Sequence, residues 1–197
     1  MKTRIEAFRL EPLGEGKFIH PKLARYRQDG EERSWEILEA HDSVAVLIRH
    51  RERKSFILVR QFRPAVYAHG GDGMTLELCA GLVDKPKPLE QIAAEEVEEE
   101  CGYRPDPSAL ERVSAFYTSV GFAGSRQTLY YVEVDESLRV GPGGGIEGES
   151  IEVVELATEA AMALILDESV PRTPGLMFAL CWWRDRYGSS SDKLDEK

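Results

Sequence analysis

The stretch Ala80-Gly-Leu-Val-Asp-Lys-Pro-Lys-Pro-Leu-Glu-Gln-Ile-Ala-Ala-Glu-Glu-Val-Glu-Glu-Glu-Cys-Gly-Tyr103 decides how this chain is read. Leu89, Ile92, Ala93, Val97 and Cys101 recur at helical spacing, so residues 88–101 are predicted to form an amphipathic helix. Pro86 and Pro88 punctuate its start, and Gly102 suits a left-handed stop. The polar side carries Glu95, Glu96, Glu98, Glu99 and Glu100. Residues three and four apart share a helix face, which sets Glu96 beside both Glu99 and Glu100. Like charges at that spacing repel. A hard divalent cation reverses the sign of the interaction, because Mg²⁺ prefers carboxylate oxygens and water. Gly81 lets the backbone turn closely just before the helix, so that a carbonyl such as that of Ala80 can point at the same ion. For acidic runs in general a solvated helix face is the competing reading. The intact apolar stripe and the framing glycines weigh against it here.

Outward from this helix the pattern is mixed α/β. Residues 43–49 and 55–62 are β-branched or aromatic runs separated by His50-Arg-Glu-Arg-Lys54, which predicts a hairpin. Residues 33–40, 75–79, 110–118, 127–135 and 150–156 also read as strands, and 158–167 and 173–187 as helices. Two loops are rich in small residues, 119–125 and Gly141-Pro-Gly-Gly-Gly145. Trp182 and Trp183 are expected to pack, as is Trp35 unless its ring stands at a pocket or dimer edge, where it could stack on a base.

Composition narrows the function classes. With 25 basic and 35 acidic residues among 197, the net charge of −10 argues against general nucleic-acid binding, which needs a basic surface to displace counterions. A phosphorylated small molecule is still compatible, because a bound cation inverts the field of an acidic pocket. No run approaches the length of a membrane-spanning helix, and the charged start of the chain lacks the apolar core of a signal peptide. Three widely spaced cysteines form neither a disulfide framework nor a zinc motif, so a cytoplasmic location is expected. The histidines show no metal-ligand spacing.

Taken with its flanks, the helix resembles the Nudix box: Gly, five residues, Glu, seven residues, Arg-Glu-apolar-any-Glu-Glu-any-Gly-apolar. Gly81, Glu96, Val97, Glu99, Glu100, Gly102 and Tyr103 match. Lys87 stands in place of the first Glu and Glu95 in place of the Arg, two positions that in the family brace the loop and orient the carboxylates. Lys87 and Glu95 could exchange those roles as a charge-reversed pair. Residues 41–48, 60–67, 76–84, 119–128 and 141–145 are also similar to the UDP-sugar diphosphatase branch of Nudix hydrolases. Val120 stands where the neighbouring ADP-ribose diphosphatase branch usually has Pro, which favours the UDP-sugar branch.

The resemblance implies an α/β/α Nudix sandwich around a mixed sheet over residues 41–187. Residues 1–40 would form a small β-rich extension exchanged within a homodimer, and residues 188–197 a polar tail. It implies hydrolysis of a nucleoside diphosphate sugar, UDP-glucose before ADP-ribose. Mg²⁺, or Mn²⁺ in its place, would be held by Glu96, Glu99, Glu100 and the carbonyl of Ala80. Glu149 or Glu147, on a loop that the glycines at 141–145 would let close over substrate, is the candidate base, with Glu99 also counted among the catalytic carboxylates. Arg63 suits a diphosphate because a guanidinium binds two oxygens at once. Arg126 and Trp35 are further candidates for substrate contact, and Glu77 for support of the metal site. Two other classes compete. A non-catalytic Nudix-fold binding module is disfavoured because Glu96 and Glu100 are both retained. A calcium-binding acidic protein would need the spaced Asp/Asn/Gly loop of an EF-hand, which does not occur.

Overall fold

The computed structural model describes residues 5–14, 16–146 and 148–188. Most of the polar tail, residues 189–197, lies outside them, as does Glu147. Two strands, β1 (Ile19–Gln28) and β2 (Glu31–Ala40), pair with each other as an antiparallel hairpin, and Leu38 of β2 also bridges Ala123. The body is a seven-stranded mixed sheet of β3 (Ser43–His50), β4 (Ser55–Phe62), β5 (Met74–Glu77), β6 (Cys79–Leu82), β7 (Glu111–Tyr117), β8 (Arg126–Val134) and β9 (Ile151–Ala157).

Strand β3 is apolar on both faces because both faces are covered. Val44, Val46 and Ile48 point to one core, shared with Ile57, Val132 and the helix α2 (Leu89–Cys101) through Ile92, Val97 and Cys101. Ala45 and Leu47 point to the other, shared with Leu58, Leu129 and the helices α3 (Thr158–Ala163) and α4 (Pro174–Trp183) through Ala161, Leu176, Leu180 and Trp183. The result is the expected α/β/α sandwich. A short helix, α1 (Pro64–Ala68), follows β4; the sequence reading did not include it.

The sheet forks, and the fork makes the cleft. β3 and β4 pair over Ile48–His50 and Ser55–Ile57 as the predicted hairpin, and beyond that they pair with other strands. Residues 74–82 enter between them. Their first part, β5, pairs with β4, and their second, β6, pairs with β3. The single strand expected at 75–79 is thus two, divided at Leu78 because the chain changes partner there. On its other edge β3 pairs in parallel with β8, with Ser43 opposite Gln127.

The end of α2 is fixed by a second segment. Gly102 caps the helix in the left-handed region, with φ of 76°. The glycine loop at 141–145 then docks on the last turn. Gly144 N–H donates to the carbonyl of Glu100 at 2.8 Å, and Gly145 N–H to that of Glu99 at 3.1 Å. These bonds satisfy carbonyls that a helix end otherwise leaves open. Gly143 has φ of 72°, and a Cβ there would overlap the Glu100 carbonyl. Gly143→Ala combines left-handed strain with overpacking, so a loss of about 2–4 kcal/mol is expected in urea denaturation. Gly121→Ala, with open space around its Cβ position, serves as the neutral control.

Candidate active site

The polar face of α2 opens into a cleft of about 650 Å³ lined by Glu96, Glu99, Glu100, Arg63, Gly81 and Glu149 among others. Glu100 is only 4% exposed, and its Oε2 accepts the N–H of Ala80 at 3.0 Å. Ala80 sits opposite Ala45 of β3, yet its N–H points away from β3 toward the helix. In a strand the carbonyl of a residue points to the same side as its N–H, so the Ala80 oxygen also faces α2. Glu96 lies directly over Gly81, where any Cβ would overlap its carboxyl group. This is the physical reason for glycine at 81.

Burial pushes the carboxyls of Glu96 and Glu100 up to about 7. For Glu96 the charge of Glu99 adds to this; for Glu100 the Ala80 N–H opposes it. Glu149 raises both, which places its charge within reach of the pair. Among the described residues no three carboxylate, histidine or cysteine groups converge into a closed coordination shell. Mg²⁺ does not need one, since it keeps several waters and takes one or two carboxylates. Buried Glu100 beside half-buried Glu96, a glycine cradle and a strand carbonyl turned toward them fit a divalent cation.

The rest of the cleft comes from the fork. Arg63, at the end of β4, is held by Glu77 of β5 through Nε to Oε1 at 2.8 Å and Nη2 to Oε2 at 2.7 Å. Thr75 donates to the same Glu77 carboxylate. Glu77 is thereby committed to orienting the guanidinium, whose Nη1 stands outside the pair. Glu149 follows the glycine loop, and its Oε2 accepts the N–H of Ile146 at 3.1 Å.

A model of the NUDIX domain family matches residues 39–171. The chain belongs to the Nudix family. Similar proteins include two named uridine diphosphate glucose pyrophosphatase NUDT14. The one from Bos taurus is 40% identical, with 91% of this chain and 94% of the relative covered. The one from Mus musculus is 38% identical over the same shares. A protein named GDP-mannose pyrophosphatase, from Cronobacter sakazakii, is 37% identical over 82% of this chain and 86% of its own length.

This Nudix chain brings together Ala80, Glu96, Glu99, Glu100, Arg63 and Glu149 of the predicted residues. It does not bring Trp35 or Arg126 to the same cleft. Trp35 is 56% exposed on β2 and donates from Nε1 to the carbonyl of Gly121 at 2.8 Å, tying the hairpin to the 119–125 loop. Arg126 lies over the ring of Tyr117 at 5.8 Å, and its N–H is held by Asp42. The neighbouring residue, Gln127, lines the cleft instead. The glycine loop at 141–145 packs against the end of α2. Gly143 is the one whose Cβ would run into the helix backbone, at Glu100 and Cys101.

Sequence reasoning also missed a second cavity of about 650 Å³, which shares Ser43, Glu77, Ala80 and Gln127 with the acidic cleft and adds Phe116 and Phe178. Its walls come from strands and a helix far apart in sequence. The parallel register of β3 with β8 is what joins them, and no local motif announces it.

The titration behaviour has a measurable sign. The folded carboxyl of Glu100 lies above its ordinary value, so its contribution to stability is present below about pH 4.5 and is lost as pH rises through about 7. In metal-free protein, Glu100→Gln is expected to reduce the fall in melting temperature between about pH 5 and about pH 8. Metal affinity of the wild type should rise over the same interval, because binding displaces protons. Thermal melts across pH, with and without Mg²⁺, check both.

Proposed function

We propose that this Nudix chain hydrolyses the diphosphate of nucleoside diphosphate sugars, with UDP-glucose giving UMP and glucose 1-phosphate. The observation that carries the reading is half-buried Glu96 lying over Gly81 beside buried Glu100, in one cleft with Arg63 and Glu149. The names of the NUDT14 relatives support UDP-glucose as substrate. The similarity to GDP-mannose pyrophosphatases makes GDP-mannose the second candidate.

In this reading Glu96, Glu99, Glu100 and the Ala80 carbonyl hold Mg²⁺, with Mn²⁺ able to substitute. A divalent cation at such a site neutralises diphosphate oxygens and lowers the pKa of water. Arg63, already oriented by Glu77, binds a diphosphate oxygen through its outward nitrogen. Glu149 takes the proton as a water oxygen bonds to phosphorus and the bond from that phosphorus to the bridging oxygen breaks. The cleaved phosphate leaves carrying that oxygen. Glu147 is the other candidate base from the sequence, and it lies outside the described residues.

A homodimer is part of the same proposal. A two-stranded hairpin alone is marginal in water. Here β1 and β2 leave Leu23, Tyr26 and Trp35 exposed, beside exposed Val120 and Phe122. A second copy would cover this apolar surface. No helix among the described residues is long and apolar enough to cross a membrane. All three cysteines are free, which supports the cytoplasmic assignment.

The test is a hydrolysis panel of UDP-glucose, GDP-mannose and ADP-ribose with Mg²⁺ or Mn²⁺. UDP-glucose should be cleaved fastest, and EDTA should abolish turnover. Inertness toward all three with both metals would sink the enzyme reading. Glu149→Gln should lower kcat by roughly a hundredfold or more while KM changes little, as general-base loss does. Light scattering after gel filtration should give twice the mass of the 197-residue chain, and Leu23→Glu with Trp35→Glu should shift it toward the monomer.

A further inference from the structure

The acidic cleft continues into the second cavity of about 650 Å³ through the residues they share, Ser43, Glu77, Ala80 and Gln127. The two differ in chemistry. Among the described residues lining the second cavity there is no lysine or arginine, and its carboxylate, that of Glu77, is engaged by Arg63. It is therefore no place for a phosphate. Its aromatic wall is Phe116 of β7 and Phe178 of α4, with ring centroids 5.5 Å apart and planes at 73°. Ser114, Thr118 and Thr173 add hydroxyls to the lining. Gln127 stands at the junction, where its Nε2 donates to Ser43 Oγ at 3.3 Å. Its Oε1 would lie only 2.9 Å from a Cβ at Gly175. Glycine is a poor helix former, yet it is the second residue of α4, where it leaves that amide its place.

We propose that this cavity holds the sugar half of the nucleoside diphosphate sugar, with Phe178, Gly175 and Gln127 setting the preference for it. The inference rests on the hydrolase reading above. With the diphosphate between the acids of α2 and Arg63, one of its two substituents enters the cavity and the other leaves by the mouth of the cleft. The chemistry of the cavity selects between them. A nucleobase is flat and stacks on a ring face, whereas rings set at 73° close a corner rather than a slot. A pyranose is thicker, with apolar C–H groups on its faces and hydroxyls around its edge. Each sugar hydroxyl both donates and accepts, as do those of Ser114, Thr118 and Thr173 and, through its two ends, the amide of Gln127. The edge of uracil offers an N–H between carbonyls, which leaves most of these groups unmatched. A volume of about 650 Å³ also admits a hexose together with ordered water.

Product inhibition tests this, in wild type, Phe178→Leu and Gly175→Ala, with thermal melts alongside. The substrate is whichever of UDP-glucose and GDP-mannose the wild type hydrolyses, and its sugar 1-phosphate and nucleoside monophosphate are titrated separately. Phe178 is 44% exposed, so leucine keeps the fold while removing the ring. Alanine favours the helix at 175 and displaces the Gln127 amide. The inhibition constant of the sugar 1-phosphate should rise by about fivefold in both variants, the scale of a lost ring contact, while that of the nucleoside monophosphate stays within about twofold. The reverse pattern would give the cavity to the nucleoside and overturn the proposal. So would no change in either constant, an equal rise in both, or a wild type that the sugar 1-phosphate does not inhibit. A wild type that hydrolyses neither substrate would overturn the hydrolase reading itself, and the sugar site with it.

Discussion

Glu96, Glu99 and Glu100 repel one another across one turn of α2, and the chain has to hold them together against that repulsion. Burial makes the task harder, since Glu100 is almost wholly removed from water. Three restraints act together. The Ala80 N–H fixes one oxygen of Glu100. The bare backbone at Gly81 lets Glu96 lie flat against the strand. The glycine loop bonds the carbonyls of Glu99 and Glu100 and so locks the backbone from which the acids project. Each restraint uses main-chain groups, which are stiffer than side chains and cannot rotate away.

The sheet supplies the room in which these restraints operate. A sheet of uniformly paired strands has no internal opening. Here β3 and β4 splay after three residue pairs, and residues 74–82 fill the gap by pairing first with one and then with the other. Arg63 and Glu77 arrive on one arm of the fork, Ala80 and Gly81 on the other. The ion pair of Arg63 with Glu77 spans two strands of one arm, so the cationic wall of the cleft is rigid in its own right.

Much of this was legible in the sequence, for identifiable reasons. The apolar stripe from Leu89 to Cys101 and the stop at Gly102 gave α2 nearly to the residue, because helix periodicity and a glycine cap are local signals. The apolar runs at 43–49 and 55–62 gave the hairpin. The separation of β5 from β6 at Leu78 was not legible, since it follows from which neighbour each half meets. The same holds for Gln127, placed beside Ser43 by a parallel pairing between strands far apart in the chain. Trp35 was singled out for its ring alone; what its position decides is a bond to Gly121. Lys87 and Glu95 depart from the family pattern with opposite charges, which is why a charge-reversed pair was legible, and the two side chains are in contact.

The glycine loop bears on how such a site can diversify. A run such as Gly141-Pro-Gly-Gly-Gly145 reads as a spacer, the kind of segment where chain length is free to drift. In this fold it is held at both ends of its run, by Val140 to Gly102 and by Ile151 to Gly144, with the helix terminus between. An inserted residue would slide Glu149 relative to the acids of α2. Change in ligand preference is therefore easier to accommodate in the 119–125 segment, where a side chain added at Gly121 or Gly124 would meet open space, than in the stretch that looks most permissive.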